Sequence, residues 1–174
     1  MEDGNSDKER LQAQVKALRS GNKRSIIEAL DEIRKGSEVF IIKDLAYLLE
    51  EQEDPEICTG ITALLSDMKI QEAVPILIEC IQDDSLLPIQ NQVVAACWQN
   101  GLNYGEYAFV FARLVLDAPL ETAIEALTVF EECIGDLEDS QKAELIREAE
   151  EKAVHADESH SGLISAMLKM INSY

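Results

Sequence analysis

His155, Asp157, Glu158 and His160 are the residues whose types could hold a metal ion or move a proton. Their spacing fits no tight ligand pattern, and they fall in a connection between two expected helices, so no metal site is assigned to them. The four thiols, Cys58, Cys80, Cys97 and Cys133, include no C-x-x-C pair, and each sits inside an apolar helical pattern. They are expected to be reduced, buried small hydrophobes, which implies a reducing compartment. No Gly-rich phosphate loop, nucleophile elbow or H-E-x-x-H motif occurs. Carboxylates are so numerous that no catalytic dyad stands out among them. The expectation is a protein that is not an enzyme and has no catalytic, cofactor or metal residues.

Charge narrows the partners. The chain of 174 residues has a net charge of -19. Residues 1–35 carry 8 Lys+Arg against 7 Asp+Glu, and the remainder carries 7 against 27. Lys69 and Arg113 are the only cations between Asp44 and Gln141. A phosphate backbone needs a basic footprint, so nucleic acid and anionic membrane are not expected partners. The acidity reads first as solubility, and its sharper reading is an acidic surface that attracts a basic protein partner. No apolar run reaches the length of a transmembrane helix, and the polar start Met1-Glu2-Asp3-Gly4-Asn5 does not open a signal peptide. A cytoplasmic setting is inferred. Oligomeric state is not readable from these features.

With 47% hydrophobic residues, 4 Pro and 8 Gly, the composition favours a folded, helical chain. Apolar spacing predicts ten helices. After a flexible stretch at 1–5, the first covers about 5–20, with Ser6 and Glu9 as a capping box and Gly21 as the stop. The second covers 23–35 and ends at Gly36. The third covers 38–50, capped by Ser37. The fourth opens at Pro55 with Asp54 as its N-cap. The fifth covers 71–81, with Pro75 in its first turns. The sixth runs from Pro88 to Asn100-Gly101, the seventh over 105–116, and the eighth from Pro119 to Ile134-Gly135. The ninth and tenth cover 140–153 and 159–172. No segment alternates with period two for long enough to argue a sheet.

The helices repeat. Prolines 55, 88 and 119 are 33 and 31 residues apart, and the pairs Ala29-Leu30, Ala63-Leu64, Ala96-Cys97 and Ala126-Leu127 keep a similar rhythm. A period in this range marks stacked helical pairs, none of which can bury its apolar face alone. Asp54-Pro55-Glu56-Ile57, Ala63-Leu64 and Ala73-Val74-Pro75-Ile76-Leu77 resemble the HEAT repeats, in particular the short kind seen in phycobilisome-lyase-like proteins. The match is good over 54–84 and looser over 22–135. Cys58 stands where that family usually has Arg, and the Ala-Val-Pro segment appears once. The resemblance implies an all-α fold, a right-handed superhelix of four to five antiparallel helix pairs in one domain spanning 1–174. Second helices would line its concave face. Residues 136–174 would cap the stack or complete a fifth repeat.

On that arrangement the solvent-side residues of the second helices form the candidate surface. These are Glu28, Asp31 and Glu32 on the second helix, and Glu56, Thr59, Thr62 and Ser66 on the fourth. The sixth supplies Asn91, Gln92, Ala95 and Gln99, with Trp98 at the margin. On the eighth, Glu121, Glu125, Thr128 and Glu132 form one stripe. The plain alternative is an ordinary solvated helix face. Trp98 is either packing between repeats or an exposed anchor. Gly60, in mid-helix, marks the close approach of a neighbouring helix or of a ligand backbone. The expected function is a scaffold or interaction module holding a basic or polar peptide or protein. The alternatives are a lyase-like enzyme acting on a chromophore or other bound group, as some relatives in that family do, and a nucleic-acid enzyme on helical repeats such as the alkylpurine glycosylases.

Overall fold

The computed structural model describes residues 3–36 and 39–173, and among them every regular element is helical. Ten α-helices follow in order: α1 Asp3–Leu18, α2 Lys23–Gly36, α3 Ile42–Glu51, α4 Pro55–Ser66, α5 Ala73–Ile81, α6 Gln90–Asn100, α7 Ala108–Asp117, α8 Leu120–Cys133, α9 Asp139–Ala153 and α10 Glu158–Ser173. Short 3-10 turns at Val39–Ile41, Asp84–Ile89, Gly105–Tyr107 and Ile134–Asp136 lead into or out of them. The expected all-α class and helix number are observed.

Local chemistry sets the helix ends. Asp54 is the N-cap of α4, accepting from the backbone N–H of Glu56 at 3.0 Å and of Ile57 at 3.4 Å, and Pro55 follows where no donor is needed. Glu138 and Gln141 form a capping box on α9, and Asp157 accepts from the His160 N–H at the start of α10. Gly21 and Gly101 have φ of +68° and +66°, the left-handed backbone that ends α1 and α6.

Several expected ends move. α1 begins at Asp3, so Ser6 lies inside the helix and is not its cap. The expected cap Ser37 lies outside the described residues. Pro88 does not open α6; it sits within the 3-10 turn Asp84–Ile89, and α6 starts at Gln90. Pro119 is the N-cap of α8 rather than its first helical residue. The three prolines therefore precede or open α4, α6 and α8 without holding equivalent positions.

The chain divides into two compact units, Met1–Asn100 and Gly101–Tyr174. In the first, α1, α3 and α5 pack in one row and α2, α4 and α6 in a second, each helix of one row lying against its sequence neighbour in the other. Between the rows lies a core that includes Ile26, Ile42, Leu45, Ile61, Leu65, Leu77 and Val93. In the second unit α7 packs on α8 and α9, and α10 on α7, α8 and α9. Phe111 and Phe130 are fully buried there, and Tyr104 meets Phe111 edge-on at 5.5 Å.

Polar links within each unit join residues 31 to 36 positions apart. Lys23 Nζ reaches Asp54 and Glu56 at 2.9 and 2.8 Å. Lys43 pairs with Glu79, Tyr47 donates to Asp83 Oδ2 at 2.6 Å, and Lys69 donates to the Asn100 carbonyl at 2.7 Å. Arg113 holds Glu144 and Glu148 at 3.1 and 2.9 Å, and Lys152 pairs with Asp117. Links outside that range also occur, such as Arg19–Asp44 and His160 Nε2–H donating to the Ala118 carbonyl. The repeat interval seen in the sequence is thus a distance between contacting neighbours.

Two of these links bear on acid stability. Hydrogen bonding to Lys23 holds the Asp54 carboxyl below the usual range, and its cap bonds act in the same direction. Hydrogen bonds from Ser85 and then Tyr47 do the same for Asp83. A carboxylate with a lowered folded pKa contributes stability above its unfolded value, about 3.9 for Asp, and loses it as pH falls through the folded value. The thermal midpoint should therefore drop as pH is lowered below that point, and Asp54→Asn and Asp83→Asn should each flatten the drop. Midpoints from circular dichroism between pH 7 and 2 would reveal it.

Gly60 gives a second expectation. A Cβ at this position would lie 3.0 Å from Leu30 Cδ1 of α2, so the mid-helix glycine serves the packing of α2 on α4. Gly60→Ala gains about 1 kcal/mol of helix propensity and loses a similar amount in displacing Leu30. Denaturant titration should place it within about 1 kcal/mol of the parent, whereas Gly60→Leu should cost about 1–3 kcal/mol through overpacking.

Candidate functional site

The second row of the first unit brings three of the expected stripes together. α4 packs on both α2 and α6, so the sides of these helices turned away from α1, α3 and α5 adjoin. Glu28, Asp31 and Glu32 are exposed on α2, Thr59 is exposed and Thr62 and Ser66 half-buried on α4, and Asn91, Gln92 and Ala95 are half-buried on α6. Gln99 is exposed, and Trp98 is 44% exposed. Of the two expected settings for Trp98, its exposure excludes full burial between helices.

Some members of the stripes are already engaged. Glu56 is paired with Lys23, Glu28 with Arg24 and Glu32 with Lys35. The Thr62 hydroxyl donates to the carbonyls of Cys58 and Thr59 at 3.0 and 3.1 Å, leaving its lone pairs as the outward function. Thr59, Ser66, Asn91, Gln92 and Gln99 add hydroxyl and amide groups to the surface.

The fourth stripe belongs to the second unit. Glu121, Thr128 and Glu132 are exposed on α8 and Glu125 is half-buried. The Thr128 hydroxyl bonds back to the Ile124 carbonyl at 3.3 Å. Ile124 is itself exposed, so an apolar side chain interrupts the acidic run.

The two cations of the long acidic stretch are both committed. Lys69 satisfies the last carbonyl of α6, where a positive charge also suits the helix dipole. Arg113 serves two carboxylates and lies 4.8 Å from the centre of the Phe109 ring.

His155, Asp157, Glu158 and His160 are not drawn into a ligand set. Asp157 caps α10, and His160 Nε2–H donates to the Ala118 carbonyl at 3.0 Å. Among the described residues no three His, Cys, Asp or Glu side chains cluster so as to hold a metal ion, and no helix is long and apolar enough to cross a membrane.

Asp83 is a residue that sequence reasoning passed over. It caps the turn Asp84–Ile89 through the Ser85 N–H and hydroxyl and also accepts from Tyr47. The Asp83-Asp84-Ser85 run carried a cap signal, whereas the tyrosine 36 residues earlier carried none. Gln90 is similar: its amide donates to the Ile81 carbonyl at 2.8 Å and closes the end of α5.

Comparison with family models, with curated proteins and with solved structures finds no match for the chain.

Cys80, Cys97 and Cys133 are buried as expected, but Cys58 is only half-buried, so the expectation of four buried thiols fails at that position. Cys58 lies early in α4, where its Sγ faces the Gln52 carbonyl at 3.5 Å. Burial pushes the Cys80 thiol up to about 11 and the Cys133 thiol up to about 12, which removes their nucleophilic form at neutral pH. A maleimide at pH 7.5 should label Cys58 alone in the native chain, and all four thiols in denaturant. Peptide mass mapping of the adducts provides the check, and rapid native labelling of Cys80 or Cys133 would contradict it.

Proposed function

We propose that the chain is an α-solenoid of stacked helix pairs of the HEAT-like kind, and that it works as an interaction module whose α2–α4–α6 surface receives a protein or peptide. Polar links at 33 to 36 residues, which join α2 to α4, α3 to α5 and α7 to α9, support the stacked-pair reading. The observation that carries the binding reading is the exposed Trp98 beside Gln99 on α6, with Asn91 and Gln92 on the same helix and Thr59 and Ser66 on the adjoining α4. Tryptophan contributes most where a partner can desolvate it within a polar rim.

Charge supports a basic partner. Both cations between Asp44 and Gln141 are engaged within the fold, so the carboxylates of that stretch dominate its long-range field. A phosphate backbone is disfavoured for the same reason.

The experiment is affinity capture by the immobilised chain from a cell lysate, with the captured proteins identified by mass spectrometry and compared with capture by Trp98→Ala and Gln99→Ala. Trp98→Ala should weaken the specific partner by tenfold or more, the scale of a hot-spot residue. Capture should also fall as salt is raised from 50 to 500 mM, about a threefold shortening of the screening length. Undiminished capture by both variants would count against this surface.

A further inference from the structure

We propose that a cleft along α1 receives α8 of a second copy of the chain, with Ile124 seated in it and Glu121 and Glu125 facing Arg19 and Lys16. The contact uses neither α4 nor α6 and does not depend on what binds there.

The cleft has a volume of about 860 Å³, and its walls include Leu11, Ala13, Val15 and Ala17 of α1. The charged residues lining it are Lys16 and Arg19. Leu11 and Val15 are only half-buried, although they belong to the same apolar stripe as the buried Leu18. Apolar surface left open within a polar rim marks a place where another apolar group can dock. Arg19 is paired with Asp44 at 2.6 Å, but its side chain is 73% exposed and its guanidinium has further N–H donors to offer.

What fits such a cleft is an apolar side chain flanked by carboxylates, and α8 presents one. Ile124 is 47% exposed, with Glu121 three residues before it and Glu125 one residue after it. No Lys or Arg occurs on α8. The spacing on the two helices corresponds. With Val15 set against Ile124 and the helices antiparallel, Arg19 lies about 6 Å along α1 and Glu121 about 4.5 Å along α8 in the same direction. Lys16 and Glu125 each lie one residue from the apolar centre, within reach of one another through their long side chains.

The charge of the chain as a whole selects the same pairing. Residues 1–35 carry 8 Lys+Arg against 7 Asp+Glu, and the remainder carries 7 against 27. Two copies therefore repel over most of their sequence, and the near-neutral first helices are where an acidic helix of another copy approaches at least cost. Because the two surfaces differ, each copy keeps one unused cleft or one unused α8 after the first contact, so association proceeds head to tail.

Sedimentation velocity of the full chain at about 0.15 M salt, which screens the long-range repulsion, should show reversible association with a dissociation constant on the order of 0.1 mM. Lys16→Glu combined with Arg19→Glu reverses the charge of the cleft, and Ile124→Lys replaces the seated side chain. Each variant should associate at least tenfold more weakly than the parent, with an unchanged circular dichroism spectrum. Each also keeps the half that the other has lost, so a one-to-one mixture of the two should regain association and stop at the dimer. Trp98→Ala should associate as the parent does, while its lysate capture reports separately on the α4–α6 surface. A parent that stays monomeric up to about 1 mM, association that survives either variant, a mixture that behaves as its separate components, or loss of association in Trp98→Ala would each overturn the proposal.

Discussion

Apolar side chains on the helices of the first unit are buried by more than one neighbour, and the packing there follows from how those neighbours share the burden. Ile57, Ile61, Leu64 and Leu65 cover more of α4 than one partner could bury, and α4 accordingly packs on α2, α3 and α6. The polar contacts then fix how far one helix is set from the next. Lys43–Glu79 and Tyr47–Asp83 both span 36 residues and set α3 against α5, while Lys23 draws the start of α4 to the start of α2. The ion pairs are exposed and individually weak. Their role is registration, because an apolar stripe alone would tolerate sliding.

That division of labour explains what could be read from the chain. Helix number, and the boundaries of α2 and α4, followed from apolar spacing and the Asp54-Pro55 start. Pro88 misled because proline marks a first turn without saying whether the turn is α or 3-10; here Leu86 and Ile89 are buried within the turn and α6 begins only at Gln90. Ser6 misled because a capping box is a local pattern and the chain upstream is already helical. The Tyr47–Asp83 bond and the Gln90 amide on α5 could not be read, since each joins residues whose nearness is a product of packing.

The candidate surface was legible as a set of solvent-side positions, and all of them are exposed or half-buried. What periodicity could not convey is which members are occupied. The Thr62 and Thr128 hydroxyls return to their own helices, and Glu56 is held by Lys23.

The scarcity of cations has a practical side. Trypsin cuts after lysine and arginine, and between Lys43 and Lys142 it has two places to act, Lys69 and Arg113. Both side chains are gripped by the folded chain. Digestion of the folded chain with that enzyme would therefore report mainly on the ends, and the middle would show only where Lys69 or Arg113 had been released. A protease that cleaves after glutamate would find cutting points on nearly every helix, and local loosening would appear in its fragments first.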